Sequence, residues 1–307
     1  MQRLTSRALS ITRIGAQRGR TSGGIAVSPV SWGISDSPAW GPQLEPTRVL
    51  NEMASLGADG VEAGPPGFLP DRSDSARVLL KRHGVRLVAG PVYAVLHHQD
   101  LRHSELAHID GHAGWLSSLG AKTLVLTVIA SRSDEPVAAD LSSSGWAHLL
   151  SSIGSVQHVC AAHGLHLAIS TRRGTMFQGP AEMERLLVGS EAGVCVDIAQ
   201  LMLAGADPLE VIELVARRIE HVHVNDVEGG LARAVRDGSI DYSDAVSRGL
   251  FKPLGSGDAD VARVVEGLQS AGYRGWYGLQ SDMRLNSVED EPLAGVRESL
   301  AYMRTLL

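Results

Sequence analysis

Aromatic residues are scarce in this chain of 307 residues, at 4%, although hydrophobic residues as a whole make up 44%. A core must therefore be built chiefly from Ala, Val, Leu and Ile, a composition that favours parallel strands covered by helices. Only two cysteines are present, Cys160 and Cys195, and both fall in apolar runs. Neither a disulfide framework nor a zinc knuckle is indicated, so we expect a reducing, cytoplasmic location.

Long hydrophobic runs and an excess of positive charge are also missing. No run is long enough to cross a membrane, and the net charge of −6 argues against nucleic acid or an anionic membrane as the main partner. No G-x-G-x-x-G motif follows the first strand-like run, so we expect no nucleotide cofactor. These absences leave a small-molecule substrate as the expected partner, with a homo-oligomer left open.

The first 24 residues differ from the rest of the chain. Residues 1–24 contain five Arg and no acidic residue, end in Gly-Gly, and lack the apolar segment of a secretory signal. We interpret them as a basic, disordered extension, with a transit-like or partner-binding arm as the alternative. Residues 25–307 are predicted to form one domain.

From Ile25 onward, short β-like runs alternate with longer helical patterns. Strands are predicted at 25–30, 60–63, 85–90, 122–127, 165–170, 194–198, 219–226 and 275–280. Helices are predicted at 46–56, 73–83, 101–120, 143–163, 181–187, 208–217, 259–271 and 292–307, with a short one at 242–248 inside a long excursion. Eight such units without a linker predict a single (β/α)8 TIM barrel, and a doubly wound open sheet is the alternative.

Ionisable residues stand where three of the predicted strands end. Asp197 and His223 close the sixth and seventh strands, and Glu62 closes the second. An Asp and a His on adjacent strands suit either a divalent metal or general acid/base chemistry. We therefore predict Asp197, His223 and Glu62 as catalytic, with Asp197 and His223 as metal ligands if a metal is bound. A helix N-cap for Asp197 and an ion pair with Arg for Glu62 are the structural alternatives.

A second group of polar residues is predicted to hold the substrate. Amides bind hydroxyl groups through both a donor and an acceptor, and an Arg can neutralise an anion. Because side chains alternate along a strand, Asn225 faces the same way as His223, while His221 lies deeper. The predicted substrate-binding residues are Gln280, Gln200, Arg172, Ser170, Asn225 and His97.

Several segments carry a resemblance to a known family. They are SWGISDSPAWGPQ (31–43), VLNEMASLGADGVEAGPPGFLP (49–70), VRLVAGPV (85–92), VDIAQLMLAGADPLEVI (196–212), IEHVHVNDV (219–227) and DAVSRGLFKPLGSGDAD (244–260). On these segments, which together span almost the whole predicted barrel, the chain resembles the xylose isomerase-like TIM barrels of the sugar phosphate isomerase/epimerase superfamily. Within that superfamily it is most similar to the inosose dehydratases.

The resemblance implies a divalent cation, Mn, Co or Mg, held by a Glu, an Asp, a His and a Glu on strands five to eight. It also implies removal of an α-proton from a keto-cyclitol or keto-sugar and loss of a β-hydroxyl as water. Asp197 and His223 match this pattern, whereas Ser170 and Gln280 stand where the two Glu ligands are expected. Gln200 likewise replaces a His. Hard divalent ions prefer charged oxygen donors, so we expect at most loose metal binding.

Three functions follow from this set of residues. The first is a lyase or isomerase that transfers an α-proton of a polyhydroxylated ketone, with His223 as the proton-transfer group and Asp197 orienting it. The second is a metal-dependent inosose dehydratase or sugar isomerase/epimerase whose ligands have shifted to neighbours such as Glu62 or Asp282. The third is a non-catalytic sugar-binding barrel, since neutral residues replace carboxylates.

Overall fold

The computed structural model describes residues 23–37, 39–132 and 140–307, and its eight parallel strands close into a barrel. The barrel order is β1–β2–β3–β4–β5–β6–β7–β10, with β10 hydrogen-bonded back to β1, and β8 and β9 form a separate antiparallel pair. The strands are β1 Ile25–Val27, β2 Gly60–Glu62, β3 Leu87–Ala94, β4 Thr123–Val128, β5 His166–Ser170, β6 Gly193–Asp197, β7 Ile219–Val224, β8 Asp226–Val227, β9 Phe251–Lys252 and β10 Tyr277–Leu279. The prediction of a single (β/α)8 barrel is confirmed.

Helices surround the barrel. They are α1 Pro46–Leu56, α2 Ser73–His83, α3 Arg102–Ser118, α4 Ser143–Ala162, α5 Pro180–Gly189, α6 Ile198–Ala204, α7 Pro208–Val215, α8 Gly229–Arg236, α9 Tyr242–Ser247, α10 Val261–Ser270 and α11 Leu293–Leu306. Proline begins α1, α5 and α7, where its missing N–H is not needed. Left-handed Gly57 and Gly84 end α1 and α2.

Two helices and the β8–β9 pair lie outside the predicted set, and the largest differences in strand ends are at the ends of β1 and β3. Helix α6 begins directly after Asp197, and α8 lies in the excursion that was predicted to hold only one short helix. Strand β1 is shorter than predicted because a 3-10 turn starts at Pro29. Strand β3 runs past Pro91 to Ala94, which matters for the site described below.

One buried carboxylate joins the two ends of the excursion between β7 and α10. Asp226 is 1% exposed, and each of its oxygens accepts two backbone N–H groups. Oδ1 accepts from Val227 at 2.9 Å and Ala259 at 3.0 Å, and Oδ2 accepts from Gly255 at 2.9 Å and Gly257 at 3.0 Å. A Cβ on Gly257 would lie 2.3 Å from Oδ1, so this close approach requires glycine.

Asp226→Asn is expected to destabilise the protein selectively. The amide replaces one acceptor oxygen by an NH2 group that faces two N–H donors. We therefore expect the free energy of unfolding, measured by urea denaturation, to fall by about 2–3 kcal/mol. Asp237→Asn is the control, because the Asp237 side chain is exposed and pairs with the side chain of neighbouring Arg236, and its effect should stay within about 0.5 kcal/mol. Equal unfolding midpoints for the two variants would contradict this role of Asp226.

The N-terminal extension, the two cysteines and the length of the helices also bear on the predictions. Gly23 N donates to Arg274 O at 2.8 Å, so Gly23 of the predicted extension contacts the domain, while residues 1–22 lie outside the described residues. Cys160 and Cys195 are both buried free thiols. Among the described residues, every helix is too short or too polar to span a bilayer.

Candidate active site

A cavity of about 870 Å³ opens at the C-terminal ends of the barrel strands, the end at which this fold carries its chemistry. Its walls come from β3 and the end of β4, from the segments that follow β2, β4 and β5, from α3, and from Asp36 and single residues of α6 and α9. The lining includes Asp36, Pro65, Pro66, Leu69, Asp71, Tyr93, Gly111, His112, Trp115, Ile129, Arg132, Arg172, Gln200 and Tyr242.

A hydrogen-bonded chain of four side chains forms the side of the cavity near β5–β7. Gln200 Nε2 donates to the Tyr242 hydroxyl at 3.2 Å, and that hydroxyl donates to Asp282 Oδ2. Arg172 Nη2 also donates to Asp282 Oδ2, at 3.3 Å. Burial alone would lower the pKa of Arg172, but the neighbouring Asp282 raises it, so the cavity keeps a fixed positive charge at this side.

Tyr93 is a site residue that the sequence analysis did not identify. Its side chain lines the cavity and interacts electrostatically with both Arg172 and His223. Burial raises the pKa of Tyr93, and Arg172 opposes that rise, so the phenol keeps its proton at neutral pH. The alternation of β3, continued past Pro91, would have placed Tyr93 at the barrel mouth. No sequence pattern pointed to Tyr242, which reaches the site from the excursion.

Glu62 is held between two histidines in the barrel interior. Its Oε1 accepts from His221 Nε2 at 2.7 Å and lies 3.3 Å from His223 Nε2. All three side chains are nearly inaccessible to solvent. Burial alone would raise the pKa of Glu62, but the charge of His223 and the bond from His221 hold it well below its usual range. Burial lowers the pKa of His221, so this histidine is neutral.

His223 faces a carboxylate on each side. Its Nδ1 lies 3.4 Å from Asp197 Oδ2, opposite the side that faces Glu62. Burial alone would lower the pKa of His223, but the Cys195 sulfur, Glu62 and Asp197 together raise it well above its usual range. We therefore assign an imidazolium at neutral pH.

A missing side chain on β10 makes this arrangement possible. Gly278 pairs with His223 across the β7–β10 edge, and a Cβ there would lie 2.4 Å from Glu62 Oε1. Glu62 starts on β2, two strands away from β10 in the barrel order. Its carboxylate reaches the β7 histidines through the space above Gly278.

The predicted residues divide into three groups in the structure. Arg172 and Gln200 line the cavity, whereas Asp197, His223 and Glu62 are not among its lining residues. Asp197 interacts electrostatically with Arg172, His223 does so with Tyr93, and Glu62 contacts His223. The structure does not place Ser170, Asn225, Gln280 or His97 among the cavity-lining residues. Their predicted contact with substrate is therefore not supported by this geometry.

The reasons differ between these residues. Asn225 uses its amide within the protein: Nδ2 donates to Asp197 Oδ1 at 3.0 Å and to the Gln280 carbonyl at 2.8 Å, and Oδ1 accepts from Ala199 N at 2.7 Å. The ring of His97 packs against His98, with centroids 4.2 Å apart. Asp197 also forms the predicted alternative, a helix N-cap, because its Oδ1 accepts from Gln200 N at 3.1 Å at the start of α6.

The metal site that the resemblance implies does not fit this chain. Of its four ligand positions, Ser170 and Gln280 are neutral, and Asp197 Oδ1 is already bonded to Gln200 N and Asn225 Nδ2. A different group has suitable donors: ligand atoms of Glu62, His221 and His223 all lie within 4.8 Å of one another. One carboxylate and two imidazoles suit a borderline transition metal.

Residues 50–306 match the xylose isomerase-like TIM barrel family. The chain belongs to this family. The rhizopine catabolism protein MocC of Rhizobium meliloti is 28% identical over 288 residues, which cover 91% of this chain and 88% of that protein. An inosose dehydratase of Geobacillus kaustophilus (strain HTA426) is 25% identical over 269 residues, covering 84% and 87%.

A solved structure agrees at the level of the fold. The apo 3-keto-D-glucoside 4-epimerase from E. coli superposes with a TM-score of 0.64 at 17% identity, covering 93% of this chain and all of that one. The predicted family resemblance is thus confirmed, and so is the prediction of an enzyme of the isomerase, epimerase or dehydratase type.

Glu62→Gln tests the buried charge array. The amide keeps the shape but removes the charge that His223 faces, so we expect the free energy of unfolding near neutral pH to fall by about 3 kcal/mol. The lowered pKa of Glu62 makes its contribution complete above 4.5 and lost as pH falls through the folded-state pKa. The raised pKa of His223 makes its contribution complete below 6.5 and lost as pH rises through the folded-state pKa.

Urea unfolding at a series of pH values measures both effects. Wild-type stability should be greatest between those two values and decline on either side, and Glu62→Gln should flatten both declines. Glu220→Gln is the control, since Glu220 lies 3.6 Å from His166 in a partly exposed pair, which is worth at most about 1 kcal/mol. A Glu62→Gln profile that runs parallel to the wild-type profile would refute the charge assignment.

Proposed function

We propose that this enzyme transfers an α-proton of a polyhydroxylated ketone, a sugar or cyclitol, as an isomerase or lyase. The observation that carries the proposal is the arrangement in two layers: Arg172, Gln200, Tyr93 and Tyr242 face the cavity, and His223 lies behind them between two carboxylates. The names of the relatives, an inosose dehydratase and a ketoglucoside epimerase, support a carbonyl compound with several hydroxyl groups.

The cavity side supplies substrate binding and stabilisation of negative charge. Gln200 and Tyr242 offer amide and hydroxyl groups that suit ring hydroxyls. Removing a proton next to a ketone moves negative charge onto the ketone oxygen, and the Arg172 guanidinium is already in place to stabilise it, because Asp282 holds it there.

The buried layer supplies a proton. His223 is held in its charged form, so in this proposal it acts as an acid, not as the base that abstracts the α-proton. Tyr93 contacts the cavity and interacts with His223, so its hydroxyl is the candidate relay between them. The α-proton itself would pass to a carboxylate of the cavity wall, for which Asp36 is the candidate because it lines the cavity and interacts with Tyr93. In an isomerase, Asp36 would return this proton to the neighbouring carbon, and His223 would regain from the adjacent hydroxyl the proton that it gave to the ketone oxygen. In a lyase, the proton from His223 would leave with the β-hydroxyl as water.

A metal-dependent enzyme is the second candidate, favoured by the donors of Glu62, His221 and His223. These three residues would hold a divalent ion, which supplies positive charge that stabilises an enediolate. Binding would have to displace the bond between Glu62 and His221 and the proton of His223, so we favour the first form.

We expect a chelator to leave the activity in place. A loss that Mn2+, Co2+ or Mg2+ restores, and that elemental analysis of the purified protein matches, would favour the second form.

Solvent exchange tests the proposed chemistry directly. We expect NMR in D2O to detect deuterium at the carbon next to the carbonyl for at least one member of a panel of keto-sugars and inososes. His223→Gln should slow that exchange by about 100-fold or more, the usual size of a general acid/base contribution. His158→Gln is the matched control, because His158 is an exposed residue of α4 that bonds its own helix backbone. Saturable binding without exchange would favour the non-catalytic sugar-binding alternative.

A further inference from the structure

We propose that the substrate carries a flat, uncharged aromatic ring beside its polyhydroxylated part, and that the half of the cavity over β2–β4 binds this ring. We name this half the arm: it is formed by Pro65, Pro66, Leu69, Gly111, Trp115 and Ile129. The inference rests on the proposed function, since it extends the substrate at the same site.

The size of the cavity is the first argument. At about 870 Å³ it lies in the upper part of the range of roughly 300–1,000 Å³ for small-molecule sites. A single sugar or cyclitol ring bound beside Arg172 and Gln200 would fill only the polar side. Water would then remain against the apolar walls of the arm, which is unfavourable.

The walls of the arm are flat and already held in place. Trp115 Nε1 donates to the Pro70 carbonyl at 3.3 Å, and the Trp115 ring stacks on His112 with centroids 5.4 Å apart and planes 21° apart. Pro65 and Pro66 add two rigid rings. Such surfaces suit a planar aromatic group, which prefers offset contacts with other rings.

Arg132 lines the cavity beside the arm but is paired within the protein, and Asp71 adds a carboxylate to the same lining, which disfavours an anionic ring. Arg132 Nη2 donates to both carboxylate oxygens of Glu105, at 2.9 and 2.8 Å, so it is not free to bind a phosphate. Burial lowers the pKa of His112, which keeps that ring neutral. Its Nε2 is buried and has no hydrogen-bond partner among the described residues, so this side of the arm carries no charged group.

A glycine inside α3 keeps the arm open. Gly111 lies within the helix and lines the cavity, and a Cβ built on it would meet no atom within 4 Å. Glycine costs a helix interior about 1 kcal/mol relative to Ala. Because Gly111 lines the cavity, the empty space beside it belongs to the arm. A Cβ at this position would enter that space without a clash, and a larger side chain would occupy it.

The test measures binding of 2-naphthol, a planar ring with one hydroxyl, by isothermal titration calorimetry. We expect saturable binding to the wild type, weakened at least 10-fold by Gly111→Leu and changed less than 2-fold by Gly154→Leu. Gly154 is the matched control, because it lies within α4, also has open space at its Cβ position, and is not among the cavity-lining residues. Absence of saturable binding to the wild type, or equal weakening by the two variants, would overturn the proposal.

The outcome is separate from that of the proposed function. The titration needs no turnover, so 2-naphthol binding in the arm can be established even if no ketone undergoes exchange. Where exchange is found, the ratio of kcat/KM for an aryl glycoside of the ketone to that for the free ketone should exceed 10 in the wild type and approach 1 in Gly111→Leu. A wild-type ratio near 1 would also overturn the proposal.

Discussion

The site depends on a carboxylate that has almost no contact with water. Glu62 spans the barrel from β2 to β7 and is stabilised by His221 on one side and His223 on the other. Desolvation of an isolated carboxylate costs several kcal/mol, so its ionised form requires these two partners. The same pairing keeps a proton on His223, and Asp197 supplies the second anion that this proton needs. Removing any one member would leave its neighbour as an uncompensated buried group.

This arrangement suggests how the chain differs from the metal-binding pattern of its family. The relatives are expected to hold a cation among carboxylates. This chain instead has the His223 imidazolium between Glu62 and Asp197. The neutral residues Ser170 and Gln280 stand at the ends of two other strands. Both solutions concentrate positive charge at the mouth of the barrel. Arg172, fixed by Asp282, adds a second positive group that faces the cavity, so the substrate side and the buried side each hold one.

Much of this structure could be predicted from the sequence, for identifiable reasons. Alternating short apolar runs and amphipathic helices specify the barrel, and the bounds of α1 and α2 follow from proline and glycine at their ends. Asp197 and His223 end their strands, so their pairing could be predicted as well. The contacts of Glu62 with His221 and His223 could not be predicted, because they cross two strands and depend on the absence of a side chain at Gly278.

Other parts of the site depend on contacts that one sequence does not reveal. Asn225 looked like a substrate ligand because its position on β7 is correct, but its amide is consumed by local hydrogen bonds. Tyr242 begins the short helix α9, which was predicted, but the sequence does not indicate how the excursion places this helix against the cavity. The cavity itself is a property of the space between elements, and Gly111 contributes to it only by lacking a side chain.

The excursion between β7 and α10 has a consequence for how such enzymes diversify. Its two ends are joined to each other by the carboxylate of Asp226, and between them it brings Tyr242 to the cavity. Residues between these anchor points can thus be exchanged, inserted or deleted while the eight strands stay as they are. Selection acting on this one segment would alter the side chains that it presents to the cavity and leave the buried Glu62, His223 and Asp197 unchanged.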